Sequence, residues 1–371
     1  MAVSVLVTGG AGFIGRHVTA ALLRHGYAVR VLDSLIEQVH HGNGPDPILD
    51  DVEFIHGDVR DAELMAQAVR GMDKVIHLAA DVGVGQSMYE IDRYVSVNDH
   101  GSAVLFQALI GNPVERVVVA SSMSIYGEGL YRTAAGGVVE DAVRPSQRSA
   151  RSGWDPSGSD GERLTPIATP EWKRPELASV YAITKYMQER LTLTVAPAYG
   201  MEGVALRLFN VYGPGQALSN PYTGVLAIFA SRLLNGERPL VFEDGEQRRD
   251  FVHVDDISRA FLLALEREEA AGGVFNIGSG RDVTVCEVGA AIAAAMHKPH
   301  LAPEVTGQAR VGDIRHCFAD ITAARERLGF HPRRGFDDSL AELSEWVRKQ
   351  RGAVDRVVQA RRELEARGLV T

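Results

Sequence analysis

The sequence predicts an α/β fold: a doubly wound parallel sheet followed by a smaller C-terminal α/β lobe. Three observations predict it. Short apolar runs at 3–7, 28–32, 53–56, 75–78 and 116–120 alternate with helical patterns such as 14–25 and 62–69, and strand–helix–strand alternation gives parallel strands joined by right-handed crossovers. The runs are apolar at consecutive positions instead of alternating with polar ones, as in Val75-Ile76 and Val117-Val118-Val119, which is the pattern of strands covered on both faces. A glycine-rich turn, Thr8-Gly9-Gly10-Ala11-Gly12-Phe13-Ile14-Gly15, joins the first run to the first helix. A helix at 178–199 and a strand at 203–209 continue the pattern, so residues 1–212 are expected as one domain. From 213 to 371 the chain reads as the smaller lobe, with some crossing between the two. Its expected elements are a helix at 223–234, a strand at 240–242, a helix at 255–266 and short strands near 274–277. A charged amphipathic helix at 354–367 is expected as a solvated cap. Between about 128 and 178 the periodicity fails, and glycine, serine, proline and arginine dominate. That stretch is expected as an insertion at the surface, a lid or a binding loop, and removing 145–165 is expected to leave the fold intact.

Composition narrows the class. The chain has 371 residues, 45% hydrophobic and 23% charged, with a formal net charge of −9. An acidic balance argues against general affinity for nucleic acid or an anionic membrane. No stretch reaches the roughly 18 apolar residues a membrane span requires, and the start shows no secretory signal pattern. Cys286 and Cys317 are the only cysteines, too few and too far apart for a disulfide framework or a zinc site, so a reducing cytoplasm is expected.

The glycine turn is suited to a dinucleotide. Gly9, Gly12 and Gly15 permit a tight turn, close approach of a pyrophosphate and close helix–strand packing. The free amides of the following helix, beginning at Phe13 and Ile14, and the helix dipole favour the diphosphate. Asp33 ends the second strand, where a carboxylate accepts both ribose hydroxyls and repels a 2′-phosphate. No arginine follows at Ser34 or Leu35, which favours NAD over NADP. Asp58 and Val59 follow the third strand, where adenine would sit. Leu78, Ala79 and Ala80 follow the fourth and are small enough for backbone to approach the cofactor.

Tyr181 and Lys185 share a helix face at i, i+4 spacing. An ammonium beside a phenol is expected to lower its pKa from about 10 toward neutrality. Such a tyrosine can take a proton from a sugar hydroxyl while hydride leaves the same carbon. Ser122, at the end of a strand, can donate to the developing ketone oxygen or relay its proton.

Taken together, the glycine turn, Ser122 and Tyr181-Ala-Ile-Thr-Lys185 resemble the extended short-chain dehydrogenase/reductase family, in its nucleotide-sugar epimerase and dehydratase branch. Asn98, Phe209-Asn210, Tyr212-Gly-Pro214 and Arg249-Asp-Phe-Val-His-Val-Asp255 match further. The resemblance covers roughly residues 3–345 apart from the insertion. It implies a Rossmann-type domain holding NAD, with Tyr181 as base, Lys185 as its partner and Ser122 as the catalytic Ser/Thr. It implies a cofactor contact at Asn98 and contacts to a nucleotide-diphosphate sugar at Val84, Ser124, Asn210, Arg249, Arg310 and Asp313. The two arginines match positions that bind the diphosphate, and two guanidiniums suit its two charges. A homodimer is also implied, with helices near 95–110 and 180–198 at its interface.

Dehydratases of the branch place Asp-Glu after the catalytic residue, and the related uronate decarboxylases place Glu at the second position. Here those positions are Met123 and Ser124, which disfavours both reactions. Oxidation and re-reduction at one carbon, C4, remains. The stretches Val82-Gly-Val-Gly-Gln-Ser-Met-Tyr89, Ser121-Ser-Met-Ser-Ile-Tyr-Gly127 and Gln216-Ala-Leu-Ser-Asn-Pro-Tyr-Thr-Gly224 resemble the dTDP-L-rhamnose 4-epimerase group. Some members of that group carry a cysteine-containing knuckle in the insertion. The corresponding Trp154-Asp-Pro-Ser-Gly-Ser has no cysteine, so no metal is expected. A UDP-hexose or UDP-uronate 4-epimerase and an NAD(P)-dependent 4-ketosugar reductase are the alternatives.

Overall fold

The computed structural model describes residues 2–40, 46–145, 153–158, 160–220, 222, 224–310, 312–350 and 362–370. Strand β1, Ser4–Thr8, lies inside a seven-stranded sheet. β2 (Ala28–Asp33) and β3 (Glu53–His56) follow on one side, and β4 (Lys74–His77) and β5 (Arg116–Ser122) on the other. Glu202–Leu208 and then Val274–Ile277 complete the β5 side, and every pairing is parallel. The expected doubly wound sheet is present. The strand order changes direction between β1 and β4, and a crevice opens at such a switch point beyond the carboxyl ends.

The central strands β1, β4 and β5 are buried on both faces. Val5 and Val7 pack with Val18 and Leu22 of helix α1, Phe13–Arg24, and with Ile257 and Phe261 of the Val254–Glu266 helix. Leu6, between them in sequence, turns the other way onto Met65, Leu105 and Leu109. Each such side chain contributes about 1.5–3 kcal/mol when fully buried. After residue 213 the chain thus returns to the central sheet as both a covering helix and a strand. A second sheet joins Asn210–Tyr212, Arg248–His253, Asp282–Thr284 and His316–Cys317. Behind it Leu226, Phe229, Val288, Ile292, Leu340 and Leu343 form a separate apolar cluster. Among the described residues no helix is long and apolar enough to cross a membrane.

The insertion is built differently from the loop the sequence suggests. Leu130–Arg132 pairs antiparallel with both Val138–Val139 and Thr165–Ile167, and Trp154, Tyr131 and Leu164 are buried. Charge rather than apolar periodicity fastens it. The buried Arg315 guanidinium donates to Asp155 (2.6 Å), Asp244 (2.6 Å) and Glu243 (3.3 Å). Arg144 reaches the other oxygen of Glu243 at 2.6 Å. Glu128 accepts from the amide of Arg315 at 2.7 Å and from the hydroxyl of Tyr131 at 2.8 Å. Most of the expected 354–367 helix falls outside the described residues. The part that is described, from 362, buries Leu364 instead of standing in solvent.

Deleting residues 145–165 removes Trp154 and strands Arg315 without Asp155. The melting temperature is expected to fall by roughly 10 °C, since loss of a buried tryptophan alone costs about 3–5 kcal/mol. An unchanged melting curve by circular dichroism would return the segment to a loop without structural weight.

Candidate active site

Two connected cavities lie beyond the carboxyl ends of the parallel strands. The first has a volume of about 680 Å³, and the residues expected around a dinucleotide line it. Gly9, Gly12, Phe13, Ile14 and Gly15 border its middle, at the switch point. Asp33, Asp58 and Val59 border it beyond β2 and β3, and Leu78, Ala79 and Ala80 beyond β4. Ser122, Tyr181 and Lys185 border it beyond β5.

The turn between β1 and α1 leaves no room for side chains. Gly9 has φ +70°, and a Cβ there would stand 2.8 Å from the amide nitrogen of Ala79. A Cβ on Gly15 would stand 2.1 Å from the carbonyl oxygen of Gly9. Helix α1 begins at Gly12 with no side-chain cap and no acid in its first turn. Its first amides thus suit a diphosphate. Asp33 Oδ2 accepts from the amide of Ala11 (3.0 Å) and Oδ1 from that of Leu35 (2.9 Å). Burial works against its charge, but hydrogen bonds from His40, Leu35 and Ala11 hold it below the usual carboxylate range. It is therefore anionic at neutral pH and opposes a 2′-phosphate, so the residues present fit NAD. Asp58 reaches the cavity with its carboxylate engaged by Arg60 Nε at 2.9 Å and Nη2 at 2.6 Å.

Asn98 is not in the cavity wall. It lies in a π-helical turn, Val95–His100, and is fully buried. Its Oδ1 accepts from the amide of Asp81 (2.7 Å), and its Nδ2 donates to the Asp81 carbonyl (3.1 Å) and the Thr184 hydroxyl (2.9 Å). It ties the strand-end loop to the Val180–Ala198 helix and does not border the cavity where a cofactor contact is expected.

That helix carries Tyr181 and Lys185. Ser179 caps it, accepting from the amide of Ala182 at 3.1 Å, and the amide of Tyr181 donates to Ser87 Oγ at 3.0 Å. Ser122 ends β5 and accepts from the hydroxyl of Ser124 at 2.9 Å. The expected pairing of ammonium with phenol is not what the structure holds. Burial pushes Tyr181 up to about 12, with the neighbouring Ser122 hydroxyl working the other way. Burial also lowers Lys185 to about 7, opposed by Asp99. The Lys185 ammonium donates to Gln188 Oε1 at 2.5 Å. Spacing puts the two groups on one face, but desolvation outweighs charge attraction in setting both values.

Gln188 and His77 are residues the sequence reading missed. Gln188 Nε2 donates to Ser102 Oγ at 2.9 Å and lies 3.1 Å from His77 Nε2. His77 Nδ1 lies 2.7 Å from Thr8 Oγ1. Burial, helped by Lys185, lowers His77 to about 3 and keeps it neutral. A histidine closing the apolar run of β4 was the available signal.

The second cavity, about 360 Å³, shares Ser122 and Tyr181 with the first. Val84, Ser124, Asn210, Arg249, Arg310 and Asp313 all line it. Arg249 donates to the carbonyls of Arg315 (2.9 Å) and Ile314. Arg310 pairs with Asp313 at 3.1 Å and stands 4.4 Å from the centroid of Phe242. Asn210 Nδ2 donates to the Asp250 carbonyl at 3.0 Å.

The profile of the NAD dependent epimerase/dehydratase family matches residues 5–146 and 158–278. The chain belongs to this family. It is 35% identical over 353 residues to the dTDP-L-rhamnose 4-epimerase of Burkholderia thailandensis, covering 93% of this chain and 95% of that one. A UDP-glucose 4-epimerase from Thermotoga maritima, solved with UDP-glucose, superposes with a TM-score of 0.75 at 32% identity, covering 93% and 99% of the two chains. A Thermus thermophilus UDP-glucose 4-epimerase solved with NAD gives 0.73 at 32% identity, covering 95% and 100%.

Tyr181→Phe is expected to lower turnover by about 10²–10⁴-fold, the worth of a positioned acid–base group, while the purified protein keeps its NAD by absorbance. Near-normal turnover would remove Tyr181 from the proton transfer.

Proposed function

We propose that the protein is an NAD-dependent nucleotide-sugar 4-epimerase acting on a dTDP-6-deoxyhexose such as dTDP-L-rhamnose. One observation carries the reaction type. Among the described residues lining the second cavity, Asp313 is the sole carboxylate, and it is paired with Arg310. Ser124 and Met123 occupy the wall beside Tyr181, so an acid to expel a 6-hydroxyl is lacking. Epimerisation needs none. Tyr181 receives the C4 hydroxyl proton and later returns it, with Ser122 hydrogen-bonding the oxygen. Bound NAD supplies the hydride acceptor and donor. Arg249 and Arg310 hold the diphosphate while the 4-keto sugar turns. Tyr181 takes that proton as the phenolate, and Lys185 offsets the phenolate charge that burial alone disfavours. The Burkholderia relative's name and identity support the dTDP-6-deoxyhexose. Two free thiols, Cys286 and Cys317, support a reducing compartment, the cytoplasm.

Proton NMR with dTDP-L-rhamnose, UDP-glucose and UDP-glucuronate, without added reductant, is expected to show the C4 epimer growing in from the first. Growth only from a UDP-sugar would reassign the substrate. Stoichiometric NADH consumption with a 4-keto sugar, and no epimerisation, would make the protein a reductase.

The same reading includes a homodimer. Ile91 (52% exposed), Val95 (41%), Ile183 (48%) and Met187 (44%) are apolar and solvent-facing in two i, i+4 pairs. The first pair starts the helical segment that runs from Ile91 to Gly111, and the second lies on the Val180–Ala198 helix. Sedimentation velocity is expected to give a dimer for the native chain and a monomer for Ile183→Asp/Met187→Asp; a monomeric native chain would end this part of the proposal.

A further inference from the structure

Residues 362–370 lie over the second cavity. Leu364 and Leu369 line it, and Leu364 is buried. A Cβ built on Gly85, on the facing wall, would touch both terminal carbons of Leu364 at 3.6 Å. Three contacts of different kinds fasten the segment. Glu363 accepts from the hydroxyls of Tyr222 (3.0 Å) and Tyr89 (3.2 Å). The Arg367 guanidinium stands 4.3 Å from the centroid of the Tyr89 ring. Val370 pairs by backbone, antiparallel, with Arg310. The segment therefore spans the compartment from the region of Gly85 and Tyr89 to the loop of Arg310.

What such a wall does follows from its side chains. A ring that has to turn within a closed space meets leucine methyl groups without a directional preference, whereas a hydroxyl or carboxylate on the wall would hold one orientation. The same methyl groups leave any substrate hydroxyl that meets them unpaired, and a buried hydroxyl without a partner is disfavoured. An apolar pocket rejects an added hydroxyl by about 10–100-fold.

We propose that residues 362–370 form the outer wall of the sugar compartment, and that Leu364 and Leu369 contact the sugar and select a ring bearing a methyl group over one bearing a hydroxymethyl group. The proposal rests on the nucleotide-sugar reading for the identity of the ligand. Its residues come from the fold of this chain alone.

The test is calorimetric and needs no turnover. Affinities are measured for dTDP, dTDP-6-deoxy-D-glucose and dTDP-D-glucose, the two sugars differing only by the 6-hydroxyl. The native protein is expected to prefer the deoxy sugar by about 10–100-fold. Leu364→Ser and, separately, Leu369→Ser are expected to bring that ratio to within about threefold of one, with dTDP affinity unchanged. The dTDP control reports an intact nucleotide site in each variant, and Leu369, half-buried, serves should Leu364→Ser fail to fold. A native ratio near one overturns the proposal, as does a ratio that neither folded variant changes. Failure of the epimerase reading would appear separately, as deoxy-sugar preference without any C4 epimer by NMR.

Discussion

The carboxylate of Glu189 ties the strand end that carries Ser122 to the helix that carries Tyr181 and Lys185. It is almost fully buried and accepts from Ser121 Oγ at 2.7 Å, Arg207 Nε at 3.0 Å and Arg207 Nη2 at 2.7 Å. Arg207 continues to the Tyr126 hydroxyl at 2.7 Å, and Tyr126 to Asn276 Oδ1 at 2.8 Å. One network thus joins the helix bearing Tyr181 and Lys185 to β5 and to the two strands beyond it. Ser121 precedes Ser122, and Glu189 lies one helical turn past Lys185. The spacing of Ser122 from Tyr181 and Lys185 is therefore set by a buried ion pair. Such a pair adds little net stability compared with apolar packing, but removing one partner costs about 3–5 kcal/mol because the other charge stays buried. Its value here is geometric, and the apolar clusters on both faces of the sheet supply the stability.

Burial has the opposite consequence a few residues away. Among the described residues no carboxylate hydrogen-bonds Tyr181 or Lys185, Asp99 acts on the lysine only through its charge, and desolvation raises the phenol and lowers the ammonium. Both shifts favour uncharged forms. The polar chain from Lys185 through Gln188 to Ser102, His77 and Thr8 takes up the lysine's donor and contains no carboxylate. Glu189 and Lys185 are neighbours on one helix, yet one is locked into an ion pair and the other left adjustable.

What the residues disclosed in advance was what local geometry dictates. The glycine turn demanded a close approach between β1 and α1, and the central strands β1, β4 and β5 carry consecutive apolar residues because both their faces are covered. Boundaries moved by one or two residues, as helix and strand ends do. The insertion was misread because the contacts that fix its position, made by Arg315, Asp155, Glu243 and Glu128, join residues far apart in sequence and carry no periodic signature. Gln188 was passed over because a glutamine on a helix reads as solvent-facing. Only the sheet beneath it shows that the face is buried. The phenol–ammonium argument failed for a related reason: i, i+4 spacing gives a shared face but says nothing of how much water reaches it.

The two cavities also differ in what they are made of. The first is framed by the ends of hydrogen-bonded parallel strands and by a glycine turn that tolerates no Cβ, so its shape is fixed by backbone. The second is framed by side chains from segments scattered after residue 80, including Val84, Ser124, Arg249, Arg310 and the chain's last described residues. A backbone-framed site resists substitution, whereas a site framed by side chains changes with each of them. One scaffold can then keep its dinucleotide while the sugar and the reaction at it vary. On the proposed reading, reaction type in this chain is set by the lack of an acid at Met123 and Ser124. Ser122 and Tyr181 are among the side chains that both cavities share, so the point where cofactor and sugar would meet is common to the two.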